Sequence, residues 1–151
     1  MKDKTIDHIL RSTWQAVARM YNEEASKYGA TMATGFALLS IDREEGTPST
    51  TLAPRMGMEP TSLTRTLKSM EEKGLITRKK NPHDGRGVLI YLTEFGKEKR
   101  ELSRNTVLQF NEAIRTAIPA EKLEAFIEVS ERVAEITANK SIFEKQNDSD
   151  Q

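Results

Sequence analysis

Four residues constrain this chain more than any others: Gly57, Met58, Glu59 and Pro60. Glycine ends a helix readily because it adopts positive φ without steric cost. Proline suits the first position of a helix, where its missing N–H would be unpaired anyway. A stop and a start this close leave no room for a loop, so two helices must meet at a tight turn. After the turn, Leu63, Leu67 and Met70 recur at steps of four and three and define one buried face. Thr61, Thr64, Arg65 and Lys68 recur at the same steps on a different face, which is entirely polar. Small hydroxyls, Ser62 among them, come first and cations after.

The rest of the chain arranges itself around this pivot. Residues 5–28 read as a helix, with Ile6, Ile9, Leu10, Trp14, Val17, Met20, Tyr21, Ala25 and Tyr28 at helical spacing. Thr5 or Asp3 caps its start and Gly29 stops it. A second helix is predicted over about Met32 to Glu45, with Met32, Phe36 and Leu39 inward, joined by Leu38 and Ile41, and Gly46-Thr47-Pro48 breaking it. A short third helix runs from about Thr50 to Met56, capped by Ser49 or Thr50, with Pro54 in its first turn or just past it. The fourth, from Pro60, ends at Lys73-Gly74. Leu75 to Lys80 and Val88 to Leu92 read as a hairpin across the turn-rich stretch from Asn81 to Gly87. Thr93 caps a long helix to about Ala117. Pro119 opens a last one to about Lys140, with a stripe of Leu123, Phe126, Ile127, Val133, Ala134 and Thr137. The expected fold is mainly α with a small β-hairpin. Its order is that of a winged helix-turn-helix, over about residues 32–96, flanked by long helices at about 5–28 and 94–140. One domain is expected over residues 1–140, with a polar C-terminal tail at 141–151.

The 23 basic and 23 acidic side chains cancel to a net charge of zero. The total hides an asymmetry, because residues 50–100 hold 11 basic and 6 acidic side chains and residues 101–151 hold 6 and 10. A basic middle third is a pointer to a polyanion. It also contains the polar helix face. A helix that reads DNA presents short hydrogen-bonding groups near its N-terminus, where it enters the major groove. Ser and Thr meet base edges and phosphates, and Arg suits guanine. Thr61, Ser62, Thr64 and Arg65 fit base reading, and Lys68 fits the phosphate backbone. On that face alone, a solvated helix surface explains the pattern equally well. The hairpin tips the balance. Arg78, Lys79 and Lys80 load one strand, and Arg86 sits in the turn, placed for a narrow minor groove, with Asp84 orienting it. The alternative for the hairpin is a charged edge strand that blocks aggregation.

The stretch Leu52-Ala53, Met56-Gly57-Met58, Thr61-Ser62-Leu63-Thr64-Arg65-Thr66-Leu67, Met70-Glu71-Glu72-Lys73-Gly74-Leu75-Ile76 and Arg78, followed by Asp84-Gly85-Arg86 and Leu92-Thr93-Glu94-Phe95-Gly96, resembles the MarR family of bacterial transcriptional regulators. The resemblance implies a homodimer whose first helix and last two helices form the base, with two winged domains hanging from it. It implies that the helix from Pro60 to Lys73 enters the major groove, and that Arg86, held by Asp84, enters the minor groove. It further implies double-stranded DNA with a near-palindromic operator as partner, and a repressor that a small aromatic or lipophilic effector can release. Glu59 and Pro54 depart from the family's usual residues. The absence of cysteine excludes the thiol switch of peroxide-sensing members.

Trp14, Tyr21, Met32 and Phe36, with Tyr28, are a candidate ligand pocket between the first two helices; plain core or dimer packing has the same composition. His8 and His83 lie too far apart, without cysteine or an HExxH spacing, for a metal site. No cofactor is expected, and no phosphate loop or GxSxG points to an enzyme. A cytoplasmic location is expected, because the apolar runs are far short of a bilayer span and no signal segment is visible. The alternative function is a winged-helix protein-interaction module without specific DNA recognition.

Overall fold

The computed structural model describes residues 4–85, 87–139 and 141–146. It divides into two compact units, Met1–Val107 and Leu108–Gln151. In the first unit, α1 spans Ile6–Ser26, and the Thr5 hydroxyl caps it by accepting from the His8 amide at 3.4 Å. The second helix, α2, spans Met32–Ser40, with Thr31 as its cap. It is shorter than the expected run to Glu45. Asp42 is the reason, because its Oδ1 accepts the amides of Glu44 and Glu45 at 2.8 and 2.7 Å. Aspartate thereby offers those amides an alternative to the helix. Two bonds to the charged form hold the Asp42 carboxyl below its ordinary range.

The next residues are not merely a break. Thr47–Pro48 form a short strand, β1, that pairs with β3, Val88–Leu92. A two-residue strand carries no periodicity, so the sequence could not announce it. The third helix, α3, spans Ser49–Met56, with Pro48 as N-cap and no side-chain capping bond. Neither Ser49 nor Thr50 caps it. Pro54 is the sixth of its eight residues, just past the first turn. Its missing N–H removes one bond of this short helix, which ends at Gly57 (φ 62°). The fourth helix, α4, spans Pro60–Glu72 as expected from the Gly-to-Pro turn. Strand β2, Ile76–Lys80, pairs antiparallel with β3 in register Ile76↔Leu92 to Lys80↔Val88, and the sheet order is β1-β3-β2.

The core of this unit gathers Ala37, Leu38, Ile41, Leu52, Leu63, Leu67, Met70, Ile76 and Ile90, all nearly inaccessible to water. Every member of the predicted Leu63–Leu67–Met70 face is in it. Met32, Phe36 and Leu39 are only half-buried, and Leu38 and Ile41 fill the inward positions of α2 instead.

One junction fixes the sheet to the helix that follows, α5, Glu94–Ala117. The Thr93 hydroxyl donates to the Gly74 carbonyl at 2.6 Å and accepts the Gly96 amide at 3.0 Å, while the Thr93 amide donates to Leu75 O. A Cβ on Gly96 would fall on the Leu75 carbonyl oxygen. The Leu-Thr-x-x-Gly pattern is therefore a packing requirement: threonine caps, and glycine lets two backbones touch.

In the second unit, α5 continues to Ala117, α6 spans Ala120–Ala138, and a 3-10 turn covers Ser141–Gln146. No residue of α6 is buried. Phe126 is 60% exposed, and Ile127, Val129 and Ile136 are exposed as well. Leu123 and Val133 are half-buried. The first tail residues are helical, and those from 147 onward lie outside the described residues.

Candidate nucleic-acid interface

The outward face of α4 is built by its inward one. Burial of Leu63, Leu67 and Met70 leaves the helix only one rotational setting. That setting turns Thr61, Ser62, Thr64, Arg65 and Lys68 to solvent, and all five are exposed. Neither Arg65 nor Lys68 forms an ion pair among the described residues. Thr64 is less free than the sequence suggests, because its hydroxyl donates to the Pro60 carbonyl at 2.9 Å. It can accept from a base edge or a phosphate-bound water, but its proton is used. At the start of α4, Glu59 makes no side-chain capping bond, so the first amides of the helix remain available to an anion.

The wing strand is not uniformly basic toward one side. Alternation places Arg78 and Lys80 on the face of Ile76, and Lys79 on the opposite face. Arg78 Nε lies 3.4 Å from Glu71 Oε2 near the end of α4, tying the strand to that helix. Lys79 Nζ sits 4.9 Å above the Tyr91 ring. Lys80 is exposed at the strand's end. The three cations that the sequence presented as a block thus have three different surroundings. The wing turn is closed by Asn81 N to Gly87 O at 3.0 Å and by the Asn81 side chain accepting the His83 amide at 3.0 Å. Asp84 and His83 are exposed within it, and Arg86 lies outside the described residues.

A second feature of the same unit is a cavity of about 360 Å³. Tyr21, Met32 and Phe36 line it, together with Tyr28, Phe95 and Leu102. Tyr21 and Phe36 meet edge to face at 5.5 Å, and burial pushes the Tyr21 phenol upward. Trp14 does not line the cavity and is half exposed on α1. Sequence reasoning missed its two ammonium groups, Lys73 and Lys99. They come from the end of α4 and from α5, and no spacing rule connects them. His8 and His83 are both exposed, and no group of three or more metal-binding side chains occurs among the described residues. No described helix is long and apolar enough to cross a membrane.

A tight helix pair, a three-stranded antiparallel sheet and a basic hairpin after the second helix define a winged helix-turn-helix protein. Residues 30–88 match the family model for the MarR family. The chain is 33% identical over 103 residues to the organic hydroperoxide resistance transcriptional regulator of Bacillus subtilis, a match covering 66% of this chain and 70% of the relative. Other relatives are matched over as little as 50% of their length. The fold is shared with the MepR–DNA complex of Staphylococcus aureus (TM-score 0.79, 16% identity, 87% of this chain and 98% of that one). It is also shared with CouR from Rhodococcus jostii RHA1 bound to p-coumaroyl-CoA (TM-score 0.74, 23% identity, 87% and 92%). This chain belongs to the MarR family: it is a DNA-binding transcriptional regulator, and its family is not one of enzymes.

Proposed function

We propose that the protein is a homodimeric repressor that reads a near-palindromic operator and leaves it when an effector fills the cavity. The observation that carries this reading is the exposed stripe of Thr61, Arg65 and Lys68 on a helix whose other face is locked in the core. Thr61, Ser62, Thr64 and Arg65 meet base edges, Lys68, Lys79 and Lys80 meet phosphates, and Arg86 enters the minor groove beside Asp84. Arg78 acts mainly from its place against Glu71, holding the wing to α4. The solved MepR complex contains DNA, and CouR holds a CoA thioester; both support the reading through a shared fold.

The dimer is supported by apolar surface that each chain leaves open. Ile6, Ile9, Leu10 and Trp14 are exposed on α1, and Phe126, Ile127, Val129 and Ile136 on α6. Exposed apolar side chains repeated along each helix are what an interface would cover. The sequence contains no cysteine, so a thiol response to hydroperoxides does not carry over from the Bacillus relative. Selection of bound duplexes from a random pool tests the reading. The expected product is a palindromic consensus with half-sites about 10 base pairs apart. Recovery of sequences with no consensus would count against it.

A further inference from the structure

The wing turn satisfies its described backbone amides with one exception. The Asn81 amide donates to the Gly87 carbonyl at 3.0 Å, the Asp84 amide to the Asn81 carbonyl at 3.4 Å, and the Gly87 amide to the Asp84 carbonyl at 3.0 Å. The His83 amide donates to the Asn81 side chain. Pro82 has no N–H to place. The Gly85 amide donates to no acceptor among the described residues. Gly85 is exposed, and a Cβ added there would meet nothing within 4 Å. The surroundings of this nitrogen are therefore open.

The residue before it carries a matching electrophile. Bonding the Gly85 nitrogen to the Asp84 carboxyl carbon closes a five-membered ring. The Asp84 carboxylate leans over the residues that follow it, since a Cβ on Gly87 would stand 3.4 Å from Asp84 Oδ2. Asp84-Gly85 is the one Asp-Gly pair in the sequence, which contains no Asn-Gly pair. The other described aspartates are held away from such a ring. Asp7 lies in the first turn of α1, where the next amide, that of His8, donates to Thr5 Oγ1. Asp42 turns its carboxylate to the amides of Glu44 and Glu45, and the bulky Arg43 follows it.

We infer that Asp84-Gly85 is a site of self-modification, at which the wing turn converts to isoaspartate through a succinimide. The Gly85 nitrogen gives up its proton and attacks Asp84 Cγ. The N–Cγ bond forms, one Cγ–O bond breaks, and that oxygen leaves as water. Water then adds to either ring carbonyl. Addition at Cγ restores aspartate. Addition at the main-chain carbonyl breaks its bond to the Gly85 nitrogen, and the chain then runs through Cβ and Cγ. Overall no atom is gained or lost, and nothing is oxidised or reduced. The backbone is longer by one carbon, and the old carbonyl becomes a carboxylate outside the chain path. That carbonyl is the acceptor of the Gly87 amide, so the turn must rearrange. In the DNA-binding reading above, Asp84 stands beside the arginine that enters the minor groove. The consequence for DNA affinity rests on that reading, and the chemistry does not.

The full chain is aged without DNA at physiological temperature in heavy-oxygen water and digested with trypsin, which releases the peptide from Asn81 to Arg86. A second form of that peptide should appear, carrying heavy oxygen and accepting a methyl group from S-adenosylmethionine through an isoaspartyl methyltransferase. Its rate of formation should lie within about tenfold of that in the free peptide of the same sequence, because the folded turn adds little to the barrier. Alanine fits at Gly85, where space is open and φ is not positive, but its methyl crowds the attacking nitrogen. Gly85→Ala should slow the conversion about fivefold or more. Asp84→Glu, which cannot close the same ring, should abolish it. On a duplex recovered from the random pool, the fraction of aged wild type that binds at the unaged affinity should fall in step with its isoaspartate content. Equally aged Gly85→Ala should keep its affinity. A folded wild type that stays unmodified, or lags the free peptide by more than that factor, overturns the site. Equal rates in wild type and Gly85→Ala overturn the part played by the Gly85 nitrogen. Isoaspartate with undiminished DNA binding, or the same loss in aged Gly85→Ala, overturns the consequence for DNA. If fresh protein binds no duplex, the DNA reading fails alone, because the peptide measurement needs no DNA.

Discussion

Gly96 shows how a single residue can be required without touching any ligand. Its Cα lies against the Leu75 carbonyl, which also accepts the Thr93 amide. Gly96→Ala must push that carbonyl aside and strain its bond to Thr93. Unfolding in urea should show a loss of about 1–3 kcal/mol, the usual scale of forced overpacking. The Leu-Thr-x-x-Gly pattern was visible in the sequence, but the contact that demands the glycine joins residues far apart in the chain. The cations divide in the same way. Arg65 and Lys68 were legible because helical periodicity is local. The pairing of Arg78 with Glu71 was not, because it depends on how the wing folds against α4. Lys80→Ala should weaken binding to all duplexes by a similar factor and lower the slope of affinity against salt by about one contact. Arg78→Ala should instead loosen the wing, lowering thermal stability as well as affinity.

At the scale of elements, α4 and the β2–β3 hairpin followed directly from pattern. The long flanking helices did too, since each runs for several turns with one stripe. The region from Ile41 to Pro48 did not. Its composition allowed a helix to Glu45, but Asp42 diverts two amides into a turn and frees the chain to form β1. That turn carries a pH signature. The two amide bonds lower the Asp42 carboxyl below its ordinary 3.8, so its contribution is fully present above that value. It is lost as pH falls through the lowered value in the folded chain. Asp42→Asn keeps the acceptor oxygen and removes the titration. Thermal melts should find the variant less stable than the parent at pH 7, with the gap closing below pH 3.8. A constant gap at all pH values would contradict this account of the turn.

On the scale of the whole molecule, net zero charge is a cancellation between a basic middle segment and an acidic C-terminal third. In the proposed function the acidic part limits nonspecific attraction to DNA while the basic part supplies the local field. Apolar surface on α6 has no covering within its own chain among the described residues, and this also points beyond the single copy. Sedimentation should give a mass near twice 17.1 kDa. Phe126→Glu should raise the dimer dissociation constant about tenfold or more, because it buries an unpaired charge. The cavity was half legible. Its aromatic members stood out in the sequence, whereas Lys73 and Lys99 reach its wall only through the folding of α4 and α5.

The central claim is that the exposed face of α4 reads base sequence. The measurement that tests it most directly compares wild type and Arg65→Ala on the selected duplex and on single-base variants of it, at one fixed salt concentration. The expected result is a loss of about 1–3 kcal/mol on the selected duplex, with discrimination vanishing at one base pair in each half-site and surviving elsewhere. Equal loss on every duplex, with discrimination intact at all positions, would contradict the claim and reduce Arg65 to a phosphate contact.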